Sequence, residues 1–87
     1  MAFVYILRCS DDSYYVGKTP DLRARLDEHQ AGVAAKFTAA RRPVEMLYAE
    51  EYETLGRAED RERQLKRWSR SKKEALIAQD RRRLKSL

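Results

Sequence analysis

A handful of residues stand where packing alone gives them little reason to be. Tyr5 lies in Phe3-Val4-Tyr5 and Tyr15 in Tyr15-Val16-Gly17, with Lys18 directly after; Arg25 and then His29 follow along a helical pattern. Leu22, Arg25, Leu26 and His29 fall on one face of that helix, so a guanidinium and an imidazole sit on or beside its apolar stripe. Glu62 interrupts a second stripe, made by Ala58, Leu65 and Trp68. Removing an unpaired charge from water costs on the order of several kcal/mol, so charges placed this way are either ion-paired or line a cleft. On the residues alone both readings stand: Glu62 could pair with Lys66, Arg25 with Asp21 or Glu28, and strand tyrosines ordinarily pack. If these residues share a cleft, the guanidinium can grip an oxyanion, the carboxylate can hold a hard cation, and the phenols and imidazole can exchange protons.

Composition narrows the chemistry. Cys9 is the sole cysteine and His29 the sole histidine, so an internal disulfide and a Cys/His zinc cage are both out. Cys9 lies in an apolar run and reads as a buried, inert thiol. A metal would need carboxylate and water ligands, which points to Mg2+ or Mn2+. The charge is uneven: residues 1–56 carry seven basic and nine acidic side chains, net −2, and residues 57–87 carry twelve and five, net +7. With a pI near 9.6, the arginine-rich final third fits a polyphosphate partner, although an ordinary solvated helix face would look the same.

The elements that must position these residues follow from pattern. Ala2 to Cys9 and Tyr14 to Thr19 are rich in β-branched and aromatic residues and form a hairpin across Ser10 to Ser13, which places Tyr5 and Tyr15 on paired strands. Thr19-Pro20-Asp21 reads as an N-cap, a first-turn proline and an early acid, and Gly32 as a stop, giving a helix over 20–31. Residues 33–42 read as a loop, residues 44–52 as a third strand of mixed alternation, and 55–69 and 72–84 as helices, the second opened by a capping box of Ser69 to Ser71 with Glu74. The expectation is an α+β fold, a small three-stranded antiparallel sheet flanked by helices in the order β-β-α-β-α-α. The 87 residues make one domain, with a basic C-terminal helix end and tail over 78–87, in which Arg81 to Lys85 are expected to fray. No apolar run reaches the roughly 18 residues of a membrane span and no signal peptide opens the chain, so the expected setting is cytoplasmic, with nucleoid association open.

Phe3-Val4-Tyr5 and Tyr15-Val16-Gly17 resemble the two tripeptides of the GIY-YIG nuclease superfamily, with Phe and Val replacing the first Gly and Ile. Val4 to Leu7, Tyr15 to Thr19, Asp21-Leu22 with Arg25-Leu26 and His29, Lys36-Phe37-Thr38, Arg42-Pro43-Val44, and Arg61-Glu62 with Leu65-Lys66 resemble its small stand-alone bacterial members over residues 2–77. The resemblance implies that Tyr5 and Tyr15 are the site tyrosines, Arg25 the catalytic arginine and Glu62 the ligand of one divalent ion, with Lys18 and His29 on auxiliary catalytic positions. The asparagine that some larger relatives carry after the glutamate helix is absent, as is a separate target-recognising domain.

Two phenols serve one site only if they leave the same face of the hairpin, which requires opposed residue numbers to sum to an even value, as with Tyr5 opposite Gly17. A three- or five-residue loop centred on Asp11 is therefore predicted. The implied activity is metal-dependent hydrolysis of DNA phosphodiesters, structure-selective or weakly sequence-specific. In it Tyr15 serves as base, helped by Lys18 or the metal-bound waters lowering its pKa, Tyr5 orients the water and Arg25 holds the phosphate. Lys36, Arg41, Arg42, Arg67, Arg70, Lys72 and Lys73 are the expected phosphate contacts. RNA as substrate, and a homodimer or protein partner, stay open. The competing reading is a nucleic-acid-binding module that keeps this fold with little or no cleavage.

Overall fold

A computed structural model describes the backbone of residues 1–85 and the side chains of residues 1–79. Strands β1 (Ala2–Arg8), β2 (Tyr14–Thr19) and β3 (Glu45–Tyr52) form one antiparallel sheet in the order β2-β1-β3. Helices α1 (Leu22–Ala31) and the one-turn α2 (Lys36–Ala39) separate β2 from β3, and α3 (Leu55–Arg67) and α4 (Arg70–Lys85) follow. The expected architecture and element order hold, with α2 added inside the segment read as a loop.

Because β1 is central, both of its faces are buried, which is why its sequence is an apolar run and not an alternation. Val4 and Ile6 join Val16, Ala58, Leu65 and Ile77 beneath α3 and α4. Tyr5, Leu7 and Cys9 join Val44 on the other face, against Leu22 and Leu26 of α1. Cys9 is buried, as its apolar setting predicts. The mixed pattern of β3 comes from a bulge: Ile6 faces Tyr48 but Leu7 faces Met46, so the extra residue Leu47 packs on the same side as Tyr48.

The hairpin has the predicted parity. Tyr5 faces Gly17 and Arg8 faces Tyr14, and Cys9 and Ser13 close the turn through a 2.8 Å N–H···O bond, which centres the loop on Asp11. Asp12 takes the left-handed conformation (φ 70°) that ends such a three-residue turn, and its carbonyl accepts from Arg70 Nη1 at 2.6 Å. Tyr15 is opposite Leu7, so the two phenols share a face but sit diagonally, not as a direct pair.

Three boundaries move for identifiable reasons. Asp21, not Thr19, caps α1: its carboxylate accepts from Ala24 N–H at 3.1 Å, while Thr19 Oγ1 is used on Asp21 N–H. Pro20 therefore precedes the helix instead of opening it. Ser69 accepts from Lys72 N–H and starts α4 two residues earlier than predicted. Helix α4 is assigned through Lys85, one residue past the expected end, and residues 86–87 lie outside the described part. Among the described residues no helix is long and apolar enough to cross a membrane.

Candidate active site at the edge of the sheet

The phenol of Tyr5 lies across β2 above Gly17. A Cβ at Gly17 would overlap the Tyr5 hydroxyl and Cζ and stand 3.0 Å from the Tyr15 ring. What this glycine admits is the Tyr5 side chain. Tyr15 follows on the same face with its ring centroid 6.4 Å from that of Tyr5.

His29 comes up from α1 and is almost fully buried, at 1% exposure. Its Nε2 lies 2.8 Å from Tyr5 Oη and its Nδ1 2.8 Å from Thr38 Oγ1 on α2, and its ring meets both tyrosine rings edge-on. Burial, reinforced by the nearby Arg25 charge, pushes the His29 pKa below its ordinary value, so the ring is neutral near pH 7. An imidazole this enclosed, with both nitrogens occupied by protein groups, backs Tyr5 and does not itself face a substrate.

Burial, and next the charge of Tyr15, raise the pKa of Tyr5; burial, and next the charge of Glu62, raise that of Tyr15. Lys18 alone therefore does not bring a phenol down toward neutral pH. Lys18 does lower Tyr15, but as the smallest of the influences on it, because its ammonium is spent on Glu62 at 3.3 Å.

Arg25 projects from α1 beside this group, near enough for its charge to lower the pKa of both phenols. Among the described residues its nearest acid is Glu28, 3.8 Å away, too far for a hydrogen bond, and its buried Nε has no hydrogen-bond partner. A buried donor left unpaired costs about 1–3 kcal/mol, so this one marks either strain or a place for an acceptor.

Glu62 reaches from α3 on the opposite side of the sheet. Its side chain is 12% exposed and ion-paired with Lys18 at 3.3 Å and with Lys66 at 3.6 Å. The pairing weighed for Glu62 with Lys66 is thus present, together with a second one across the fold. Among the described residues no group of three or more His, Cys, Asp or Glu side chains is placed to hold a metal. Glu62 alone suits a hard divalent ion that keeps most of its waters, since its donor is a carboxylate oxygen; the two ammonium groups compete with such an ion for that carboxylate.

A cavity of about 260 Å3 opens beside Tyr15, lined by Tyr14, Val16, Phe37, Lys66 and Lys73. Phe37 stacks near Tyr15, with centroids 6.1 Å apart, and carries the Arg41 guanidinium at 3.9 Å. Of the expected phosphate contacts, three have structural work. Arg41 pairs with Asp11 at 3.0 Å, Arg42 donates to Ala39 O and Gln30 O near the helix ends, and Arg70 ties the hairpin turn to α4 while lying 4.0 Å over Tyr14. Lys72 lies 4.3 Å over Trp68. Lys36 and Arg67 are exposed, and Lys73 is half-buried at the mouth of the cavity.

Sequence reasoning missed Thr38 as a partner of His29, since it lay in a presumed loop, and its only signal was the Lys36-Phe37-Thr38 resemblance. It also missed Glu50, which accepts from Tyr48, from Tyr52 at 2.8 Å and from Arg61 at 2.9 and 3.0 Å. Nothing in strand alternation identifies that acid as the centre of a cluster.

The profile described as the GIY-YIG catalytic domain matches residues 1–75. The chain belongs to the GIY-YIG family. A UPF0213 protein of Staphylococcus aureus (strain Mu3 / ATCC 700698) is 48% identical over 75 residues, covering 86% of this chain and 92% of that one; UPF0213 protein SA0446 of strain N315 gives the same values. The solution NMR structure of UPF0213 protein BH0048 from Bacillus halodurans superposes with a TM-score of 0.58 at 37% identity, covering 90% of this chain and 84% of that one. GIY-YIG membership makes this a nuclease-type domain whose implied substrate is nucleic acid, in a family that generally depends on a divalent cation.

Proposed function

We propose that this GIY-YIG protein is an endonuclease that hydrolyses DNA phosphodiesters in a structure-selective or weakly sequence-specific way. The observation that carries the proposal is the buried Nε of Arg25, without a hydrogen-bond partner among the described residues, beside the phenols of Tyr5 and Tyr15. A phosphate oxygen is the acceptor that this donor lacks, and guanidinium–phosphate bonds are among the strong charge-assisted ones.

With both tyrosines held neutral, little phenolate exists near pH 7, so neither phenol acts alone as the base. Behind Tyr5, however, stands an imidazole that is neutral there. In the proposed step water passes a proton to Tyr5 Oη while Tyr5 passes its own to His29 Nε2. The hydroxide so formed attacks phosphorus and the P–O3′ bond breaks. The leaving 3′ oxygen takes a proton from solvent, and His29 returns its proton through Tyr5 to solvent, which restores both groups. The role of base thus moves from Tyr15 to the Tyr5–His29 pair, and Tyr15 orients the water. Arg25 neutralises charge on the non-bridging oxygens, and Lys18 sets the position of Glu62. Glu62 is the residue that would hold one Mg2+ or Mn2+, which would supply charge stabilisation for the departing group when bound.

Lys36, Arg67, Lys72 and Lys73 are the sources of sequence-independent phosphate affinity. The whole chain serves as one domain, and its preference comes from the shape of the DNA. The lysine clamp on Glu62 favours a second reading, a binding module whose acid is permanently neutralised. Incubation of pure protein with branched, single-stranded and duplex DNA in Mg2+, Mn2+ or EDTA separates the two. Nicking that needs the cation and is lost in Glu62→Ala and Arg25→Ala supports the nuclease; binding without nicking by any form supports the module.

A further inference from the structure

We infer that Thr38 is a positioning residue that fixes the proton of His29 on Nδ1, and so fixes the direction of the Tyr5 hydroxyl. Thr38 Oγ1, fully buried, lies 2.8 Å from His29 Nδ1 and 3.2 Å from the Ala35 carbonyl. Two hydrogen-bond directions fit these distances. In the first, Tyr5 donates to His29 Nε2, His29 Nδ1–H donates to Thr38 Oγ1, and Thr38 donates to Ala35 O. In the second, Thr38 donates to Nδ1 and Nε2–H donates to Tyr5 Oη; the Thr38 proton is then unavailable to Ala35, and the Tyr5 proton has no acceptor among the described residues.

The first arrangement makes three bonds and the second two. Ala35 O also accepts from Ala39 N–H at 3.0 Å, which its two lone pairs allow. A hydroxyl bonding back to a carbonyl three residues earlier is a habitual threonine geometry in helices, so the one-turn α2 presents Oγ1 to His29 as an acceptor. Burial of His29 and Thr38 keeps water from substituting for the lost Thr38–Ala35 bond, so that extra bond decides the direction whether or not a water meets Tyr5.

The consequence lies at Tyr5. With its proton turned inward to Nε2, its remaining lone pair can only accept, which is what a group taking a proton from water must do. With the opposite tautomer, Tyr5 would offer its proton outward and the relay could not start. This role deepens the nuclease reading and rests on it for its catalytic meaning, but the tautomer itself does not.

Because His29 is the sole histidine, long-range 1H–15N correlation of the ring reports the tautomer without overlap. At pH 7 the wild type is expected to show a protonated Nδ1 and an unprotonated, acceptor-type Nε2, the minority form of free imidazole. Thr38→Val, which keeps the branched shape, is expected to move the proton to Nε2. Thr38→Ser restores Nδ1–H, and Tyr5→Phe, which leaves the Thr38 side intact, retains it. In cleavage assays Thr38→Val should lower kcat at least tenfold with KM changed less than twofold, and Thr38→Ser should recover most of that loss.

A wild-type ring protonated on Nε2 overturns the inference, and this measurement needs no variant to fold. So does Nδ1–H persisting in Thr38→Val, or a tautomer switch that leaves kcat unchanged. If the wild type cleaves no DNA while its tautomer and its response to Thr38→Val are as stated, the nuclease reading fails and the assignment of Thr38 stands.

Discussion

The Tyr5 phenol occupies the space that a side chain at Gly17 would need, so the strand partner of Tyr5 is also what permits its position. Gly17→Ala must therefore displace the Tyr5 ring or the hairpin. Overpacking of this kind costs about 1–3 kcal/mol, and the Tyr5–His29 bond is the contact most exposed to the shift. A fall in denaturation midpoint, with loss of at least tenfold in cleavage, is the expected outcome; an unchanged rate with unchanged stability would show that the site tolerates a different Tyr5 position.

Arg25 should separate charge from geometry. Arg25→Lys keeps the charge but cannot present an Nε–H in the guanidinium fork, so cleavage should fall about 100-fold or more while the fold keeps its stability to within about 1 kcal/mol. Parallel rate and thermal-melt measurements check this. Loss of stability in step with loss of rate would make Arg25 structural.

For Glu62 the competition between ammonium groups and a cation is directly measurable. Lys66→Ala should strengthen Mn2+ binding, read by calorimetry or by Mn2+ relaxation, because it removes one of two positive charges on the carboxylate. Glu62→Gln should abolish that binding. Equal Mn2+ affinity in wild type and Glu62→Gln would move the ion elsewhere.

Acid stability has two expected steps with the same sign. His29, enclosed by Tyr5, Tyr15, Arg25 and Glu28, has a folded pKa below its unfolded value near about 6.5. The unfolded state therefore takes up its proton first, and stability is lost as pH falls from there through the folded pKa. Burial works to raise the Glu50 pKa, but hydrogen bonds from Arg61, Tyr48 and Tyr52 outweigh it and leave the pKa low. Stability present above about pH 4.3 is then lost as Glu50 protonates in the fold. Urea titrations across pH 3–8 should show both losses, the upper one missing in His29→Gln and the lower one reduced in Glu50→Gln.

The basic residues divide by their partners. Arg67→Ala and Lys73→Ala should weaken DNA binding similarly for all sequences and lower the salt slope by about one each, with little effect on folding. Arg70→Ala removes the tie to Asp12 and the contact over Tyr14, so it should cost stability. Binding isotherms at several salt concentrations, with melts alongside, test the division.

Much of this architecture was legible in the residues. The β-branched runs, the parity of Tyr5 and Tyr15, and the apolar stripe carrying Arg25 and His29 each gave the right placement because period and turn chemistry act locally. The partners were not legible, because they are set by contacts far apart in the chain. Lys18 meets Glu62 across 44 positions and Tyr5 meets His29 across 24, and no spacing rule gives either distance. For the same reason Lys18 lowers Tyr15 only as the smallest of the influences on it: the sequence shows that a lysine is near, not that an acid has already taken it. Asp21 displaced Thr19 as the cap because either residue type can serve there, and α2 was hidden because one turn is too short to show a period.

Arg25 Nε, without a hydrogen-bond partner among the described residues, is the donor proposed to meet the phosphate. A crystal structure with Mn2+ and a short DNA tests it most directly: a phosphate oxygen within about 3 Å of that Nε, with the ion at Glu62, is the expected result. DNA bound only along α3 and α4, with Arg25 Nε still unpaired, would contradict it.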